Sequence, residues 1–241
     1  LAAMGQLFYS MSLAMGIMIT YGSYMKKEDH LESSVRQIEI FDTGVAFLAG
    51  LMIIPAVFAF SGGDSSALQA GPGLMFITLP KVFGNMKFGN VVGTVFFLLV
   101  FFAALTSAIS LMETIVSILR DKLGWTRKGT CVFVTILALV MGVPSSLGFG
   151  PLNFISWMGM SVLDIMDFVS NSVLMPIVAF FTCIFIGFVI KPSTIADEVK
   201  VTDGTFKGEK LFAVMIKWIA PIFLVLILLS SVASALGIFT L

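Results

Sequence analysis

Charge is scarce in this chain: 12% of its 241 residues are Asp, Glu, Lys or Arg, with 14 of each sign. A nucleic-acid partner would call for a basic face with interleaved aromatics, and no such patch is present. The single histidine, His30, lies in a charged loop with no cysteine or carboxylate array at ligand spacing, which argues against a zinc site. The two cysteines, Cys131 and Cys183, sit in separate apolar stretches and read as small hydrophobes. No GK[ST] follows the turn-forming segment SGGDSSALQAGP, so it is not a phosphate cradle. No acidic pair or Ser/His set is spaced for catalysis, and the chain is not expected to be an enzyme.

Apolar residues are what the chain has in excess. They make up 58% of it, and the mean hydropathy is +1.05, so the surface is expected to face lipid. The apolar runs are too long for strands and do not alternate, and a hydrocarbon core admits only helices or closed barrels. The predicted fold class is an all-α, polytopic membrane bundle. About 20 helical residues cross about 30 Å of hydrocarbon. Six stretches meet that length, at 3–25, 40–61, 88–119, 129–148, 159–190 and 211–240. They form one membrane domain over 1–241, with an outer loop at 62–87.

Lys and Arg are retained on the cytoplasmic side of short loops. Basic residues concentrate in loops 26–39, 120–128 and 191–210, which are therefore expected to be cytoplasmic, and only Lys81 and Lys87 fall in alternate loops. The first stretch then runs from outside to inside. A chain that opens LAAMGQ, without a basic flank, is read as the C-terminal part of a larger protein that has lost an odd number of spans upstream. The polar loop 191–210 reads as a mobile linker. Pro55, Pro176 and Pro221 lie inside stretches and are expected to kink them.

A few polar residues interrupt the apolar runs. Residues 5–16, GQLFYSMSLAMG, put hydroxyls and small residues at mid-membrane depth, which suits either a helix break or a small-residue packing face. The third stretch carries Thr106, Ser110, Glu113 and Ser117 at spacings of three or four, a polar stripe on one face. Hydroxyls there either bond a carbonyl one turn back or serve a ligand. Glu113 has no partner that the sequence names. Asp42 is a carboxylate inside an apolar run, where burial costs about 2.5–3.5 kcal/mol at mid-membrane, so it marks either a functional site or a shallow position. Asp164, Asp167 and Asn171 share a face of the fifth stretch.

The run GQLFYSMSLAMG followed by ITYGSY resembles the sixth helix of the neurotransmitter:sodium symporter family, which has the LeuT fold. FFAALTSAISLME at 101–113 is similar to the family's eighth helix, Asp164–Phe168 to the start of its tenth, and MFITLPKVF at 75–83 to its re-entrant outer loop. The resemblance spans nearly the whole chain and implies the second inverted repeat of the fold plus one further helix. It implies sodium-coupled symport of an amino acid across the plasma membrane by alternating access. A receptor or channel that senses an amino acid without accumulating it is the alternative.

The resemblance also assigns residues. It implies two sodium sites, one with Ala103, Thr106 and Ser107, the other with Ser10 and Asp42. Asp42 stands where the family has Asn, implying that chloride is not required. The substrate pocket would draw on Tyr9, Ser10, Ser12, Met15, Ser107 and Leu111, with Met15 where several members have Phe and Ala14 where Gly is common. Asp167 matches the outer gate and Asp121 the inner gate, with Tyr24 packed beside it; the arginine partners of both gates, and half of each ion site, lie in the missing N-terminal half.

Overall fold

The computed structural model describes residues 2–60, 71–156 and 160–235. Its elements are helical, in the order α1 (Ala2–Ser10), α2 (Ile17–Tyr24), α3 (Leu31–Phe60), α4 (Leu74–Gly84), α5 (Gly89–Leu123), α6 (Arg127–Leu147), α7 (Val162–Ile190), α8 (Pro192–Asp203) and α9 (Glu209–Ala235). Five of them, α3, α5, α6, α7 and α9, are long and apolar enough to cross a membrane. Their flanks carry large exposed side chains such as Phe47, Phe101 and Leu139, a surface that water would not support, and the fold is an all-α polytopic membrane bundle. Most of the predicted outer loop's first half, at 62–70, and the last residues of the sixth stretch, at 236–240, lie outside the described residues.

Two compact units form along the chain: Leu1–Arg36 with Ser110–Leu241, and Gln37–Ile109. In the second unit, Val57 of α3 and Leu79 and Val82 of α4 make the buried cluster, with Phe83 and Phe96 packed on it. The turn into α5 depends on Gly89, because a Cβ there would overlap the carbonyl of Phe83. In the first unit, α7 and α9 pack through Ala179, Cys183 and Leu224, and Phe8 and Ala14 from the start of the chain lie against that cluster.

Proline sets a local rule for the backbone. Among the described residues, each of the four π-helical segments, Leu74–Thr78, Phe168–Leu174, Phe185–Ile190 and Met215–Ile219, ends two residues before a proline: Pro80, Pro176, Pro192 and Pro221 respectively. At Pro80, Pro176 and Pro221, which lie within continuous helical paths, the ring lacks the N–H and crowds the carbonyl four residues back, and a widened turn ahead of it moves that carbonyl aside; before Pro192 the helix has already ended, at Lys191. The expected kinks at Pro176 and Pro221 are thus accommodated as wide turns, while Pro55 and Pro144 lie inside α-helical stretches.

Residues 191–210 depart from the expected linker. Most of the segment is α8, which buries Pro192, Ala196 and Val199 along one face and ends at Gly204, φ +69. The polar composition concealed a one-sided apolar stripe, for which a short helix needs only one residue per turn. α8 is also tied to the loop that follows α2: Asp203 accepts from the backbone N–H of Glu32 (3.2 Å) and pairs with His30 Nδ1 (2.6 Å), and Thr202 donates to the carbonyl of Lys27 (3.0 Å). α3 begins at Leu31, so most of the expected loop 26–39 is helical as well.

The hydrogen bond from His30 holds the Asp203 carboxyl below its ordinary value of 3.8, reinforced by the Glu32 amide. A depressed carboxyl pKa contributes stability that is present above the unfolded value and lost as pH falls through the folded one. Hydrogen exchange across α8, corrected for intrinsic rates, should therefore accelerate only below the ordinary carboxylate range, and Asp203→Asn should flatten that dependence. Leu224→Ala should lower stability by about 2 kcal/mol, read as earlier thiol labelling of Cys183 on heating. Leu226→Ala, on the exposed side of the same helix, should leave the midpoint nearly unchanged.

Candidate functional site

The first apolar stretch is interrupted. α1 ends at Ser10, α2 starts at Ile17, and between them Ser12, Ala14 and Gly16 adopt φ of +55, +61 and +79. Left-handed backbone costs a non-glycine residue about 1–2 kcal/mol, so the surroundings must hold it. Three bonds satisfy the end of α1: Met11 N–H to Leu7 O, Ser12 N–H to Tyr9 O and Leu13 N–H to Phe8 O, each 3.0 Å. Ala14 packs on the Ala179/Cys183/Leu224 cluster, and a Cβ at Gly16 would meet Thr114 Cγ2 at 3.1 Å. The opening amides of α2 face a Gly16 cap that gives no side-chain bond. A helix start of this kind carries partial positive charge.

On one side of the interruption lies a cavity of about 260 Å³, and Tyr9, Gln6, Asp167, Asn171 and Ser230 are among its lining residues. It brings together Tyr9 and Asp167, which the resemblance had given to pocket and gate. Asn171 Nδ2 donates to Asp167 Oδ1 at 2.6 Å. Asp164, one turn earlier, is held apart from Asp167 by other work: it closes a capping box with Ser161, whose backbone N–H and hydroxyl both donate to Asp164 Oδ2 at 3.0 and 2.7 Å. The like charges are thus compensated by separate donors.

On the other side, α2 is laced to the second half of α5. Tyr21 Oη lies 2.6 Å from Ser110 Oγ, and Tyr24 Oη donates to Glu113 Oε1 at 2.9 Å. Both pairs are 89 residues apart in sequence, so the two helices run parallel here. Arg127, from the first turn of α6, donates to Glu113 Oε2 at 2.8 Å, and the glutamate side chain is 19% exposed. Tyr24 therefore binds Glu113, whereas the resemblance had set it beside Asp121. Asp121 is an exposed residue in the last turn of α5.

The remaining candidates are distributed between the units. Ser10 is the last residue of α1, Ser12 and Met15 lie half-buried in the interruption, and Leu111 is exposed on α5. Asp42, half-buried on α3, and Ala103, Thr106 and Ser107, on α5, belong to the second unit. Thr106 Oγ1 donates to the carbonyl of Ala103 at 3.0 Å, which joins two of the expected sodium ligands through the helix's own turn. A hydroxyl that donates in this way keeps its oxygen as an acceptor, the property a hard cation uses.

Tyr21, Arg127 and Ser161 escaped the sequence reading. Matching intervals of three, Tyr21 to Tyr24 and Ser110 to Glu113, were a usable signal for the lacing, and S-x-x-D at Ser161 is a helix-start signature. The partnership of Glu113 with Arg127 had no such signal, because it depends on how α6 returns against α5. Glu113→Ala should lower thermal stability by about 2 kcal/mol by orphaning two donors. Tyr24→Phe in the Glu113→Ala background should cost almost nothing more, and full additivity in that cycle would contradict the contact.

Residues 1–238 match the sodium:neurotransmitter symporter family. Among curated relatives, an uncharacterised sodium-dependent transporter, YhdH, of Bacillus subtilis is 33% identical over 95% of this chain and 50% of its own length. A sodium- and chloride-dependent glycine transporter 2 of Xenopus laevis is 23% identical, covering 92% of this chain and 28% of its own. Among solved structures, that of MhsT in complex with L-phenylalanine superposes with a TM-score of 0.86 at 38% identity, over 95% of this chain and 51% of that one. The chain spans about half the length, or less, of these relatives. With a family match over nearly its whole length, an interrupted first helix and a polytopic helical fold, this chain belongs to the sodium:neurotransmitter symporter family of membrane transporters.

Proposed function

We propose that this chain forms the C-terminal half of a sodium-coupled amino-acid symporter working by alternating access, and that it needs an N-terminal half to complete its sites. The observation that carries this reading is the interruption at residues 11–16. Irregular backbone at membrane depth is tolerated where it faces protein, water or a ligand, and a pair of helix ends offers carbonyls to a cation and amides to a carboxylate. Ser10 and Asp42 would bind one sodium ion beside the substrate carboxylate, and Ala103 O, Thr106 and Ser107 the other. Tyr9, Ser12, Met15, Ser107 and Leu111 would line the pocket.

The substrate we favour is an apolar amino acid with a bulky side chain. Met15 is adaptable in shape, Tyr9 supplies a ring, and the solved relative MhsT was crystallised with L-phenylalanine. Asp167 would close the outer side, with Asn171 orienting its carboxylate. Asp121, and Tyr24 through Glu113, would act at the inner side. Loops 26–39, 120–128 and 191–210 would face the cytoplasm of a cell whose plasma membrane holds the protein. Asp42 would supply a resident negative charge next to sodium, so no chloride ion is needed to balance it.

Uptake of labelled phenylalanine into vesicles containing the protein with both halves tests the proposal. Accumulation should require an inward sodium gradient, and replacing chloride by gluconate should leave the rate unchanged. Thr106→Ala with Ser107→Ala should reduce sodium-driven uptake by about tenfold or more, the loss of roughly 1.4 kcal/mol or more of ion binding. Sodium-dependent binding without accumulation would instead support a receptor, and a steep loss in gluconate would reject the role of Asp42.

A further inference from the structure

The end of α7 and the starts of α8 and α9 line an open cavity of about 560 Å³ that the transport reading does not use. Three lysines line it, Lys191, Lys210 and Lys217, and among the described residues none of them makes a salt bridge. The one carboxylate in the lining, Glu209, is already bound by Lys200 at 2.6 Å. Lys200 in turn lies 3.7 Å from Asp197, outside the cavity. The balance of charge facing the cavity is therefore positive.

Backbone adds to it. α8, twelve residues long, starts at this cavity with Pro192 and Ser193 in the lining; Pro192 has no N–H and the Thr194 N–H is bonded to the Lys191 carbonyl at 3.1 Å, so the helix start contributes the Ser193 amide. A helix start and three ammonium groups around one space favour an anion with several acceptor oxygens. Lys191 is held at φ +73, a conformation comfortable only for glycine, and its side chain stands at the cavity wall.

The walls identify the rest of the ligand. Gly187 lets α9 approach so closely that a Cβ there would meet Lys217 Cγ at 3.3 Å, and the aliphatic stem of Lys217 lies across the glycine. Lys217 is about 12 Å along α9 from its start, within snorkelling reach of the interface. Phe188 and Trp218 form an edge-to-face pair with centroids 6.1 Å apart, and both rings remain exposed, as aromatics at the headgroup level do. A free phosphate would make no use of these rings.

We propose that this cavity binds the phosphate headgroup of an anionic phospholipid of the cytoplasmic leaflet, with its acyl chains running along Phe188 and Trp218. The leaflet assignment rests on the cytoplasmic reading of loop 191–210. Trp218 is a built-in reporter. The protein with both halves, in phosphatidylcholine nanodiscs, is given a minor fraction of brominated phosphatidylglycerol or brominated phosphatidylcholine, and the Trp218 signal is taken as the difference from Trp218→Phe. Brominated phosphatidylglycerol should quench it at several-fold lower mole fraction. Lys191→Gly, which also relieves the backbone, and Lys210→Gln should each weaken that preference roughly fivefold, as the loss of one lysine near anionic lipid implies. Equal quenching by both lipids, or an unchanged preference in the Lys191→Gly/Lys210→Gln protein, overturns the site. Competition by inorganic phosphate at constant ionic strength overturns the lipid assignment. Labelling of Ser193→Cys in intact cells by an impermeant thiol reagent should require permeabilisation; labelling without it overturns the leaflet, independently of the quenching result.

Discussion

Hydrocarbon offers no hydrogen bonds, and the irregular backbone within the described membrane helices answers to that constraint. A membrane helix that breaks must find partners for its freed groups inside the protein or keep them for a ligand. At residues 11–16 the end of α1 is satisfied by its own turn, the left-handed Ala14 leans on the α7–α9 core, and Gly16 admits Thr114. The amides that open α2 have no capping side chain. The break is thus supported by packing on one side and left without a side-chain cap on the other. The π-helical turns before Pro80, Pro176 and Pro221 answer the same constraint, each keeping the chain helical past a residue that cannot donate.

The same scarcity of solvent governs the ionisable groups. Glu113 sits between Tyr24 and Arg127, Asp167 accepts from Asn171, and Asp164 closes the start of α7. Each carboxylate is held by a neutral or cationic donor close in space, the condition under which a charge survives in a low dielectric. The Tyr21 and Tyr24 contacts hold α2 to the second half of α5 at two successive turns.

Much of the architecture could be read in advance because lipid imposes a length and a composition that few alternatives meet. The apolar stretches correspond to α3, α5, α6, α7 and α9, and the hydroxyl-rich run GQLFYSMSLAMG marked where the helical path is interrupted. Where the signal is faint the sequence misleads. The segment of α8 reads as a linker because its buried face consists of three well-spaced residues in a polar background. The resemblance sets Tyr24 beside Asp121, and the hydrogen-bond partner of its hydroxyl, Glu113, had no local signal of its own.

What the sequence by itself determined is the class of molecule: membrane helices, their approximate limits, the scarce polar positions and the family. Hydropathy and local motifs carry that information because lipid tests each segment separately. Tertiary structure decided which polar residues meet: Glu113 with Tyr24 and Arg127, Asp203 with His30, Tyr9 with Asp167 on one cavity, and three lysines at the junction of α7, α8 and α9. Those pairings join residues distant in sequence, and they follow from the packing of whole helices, which no single segment encodes.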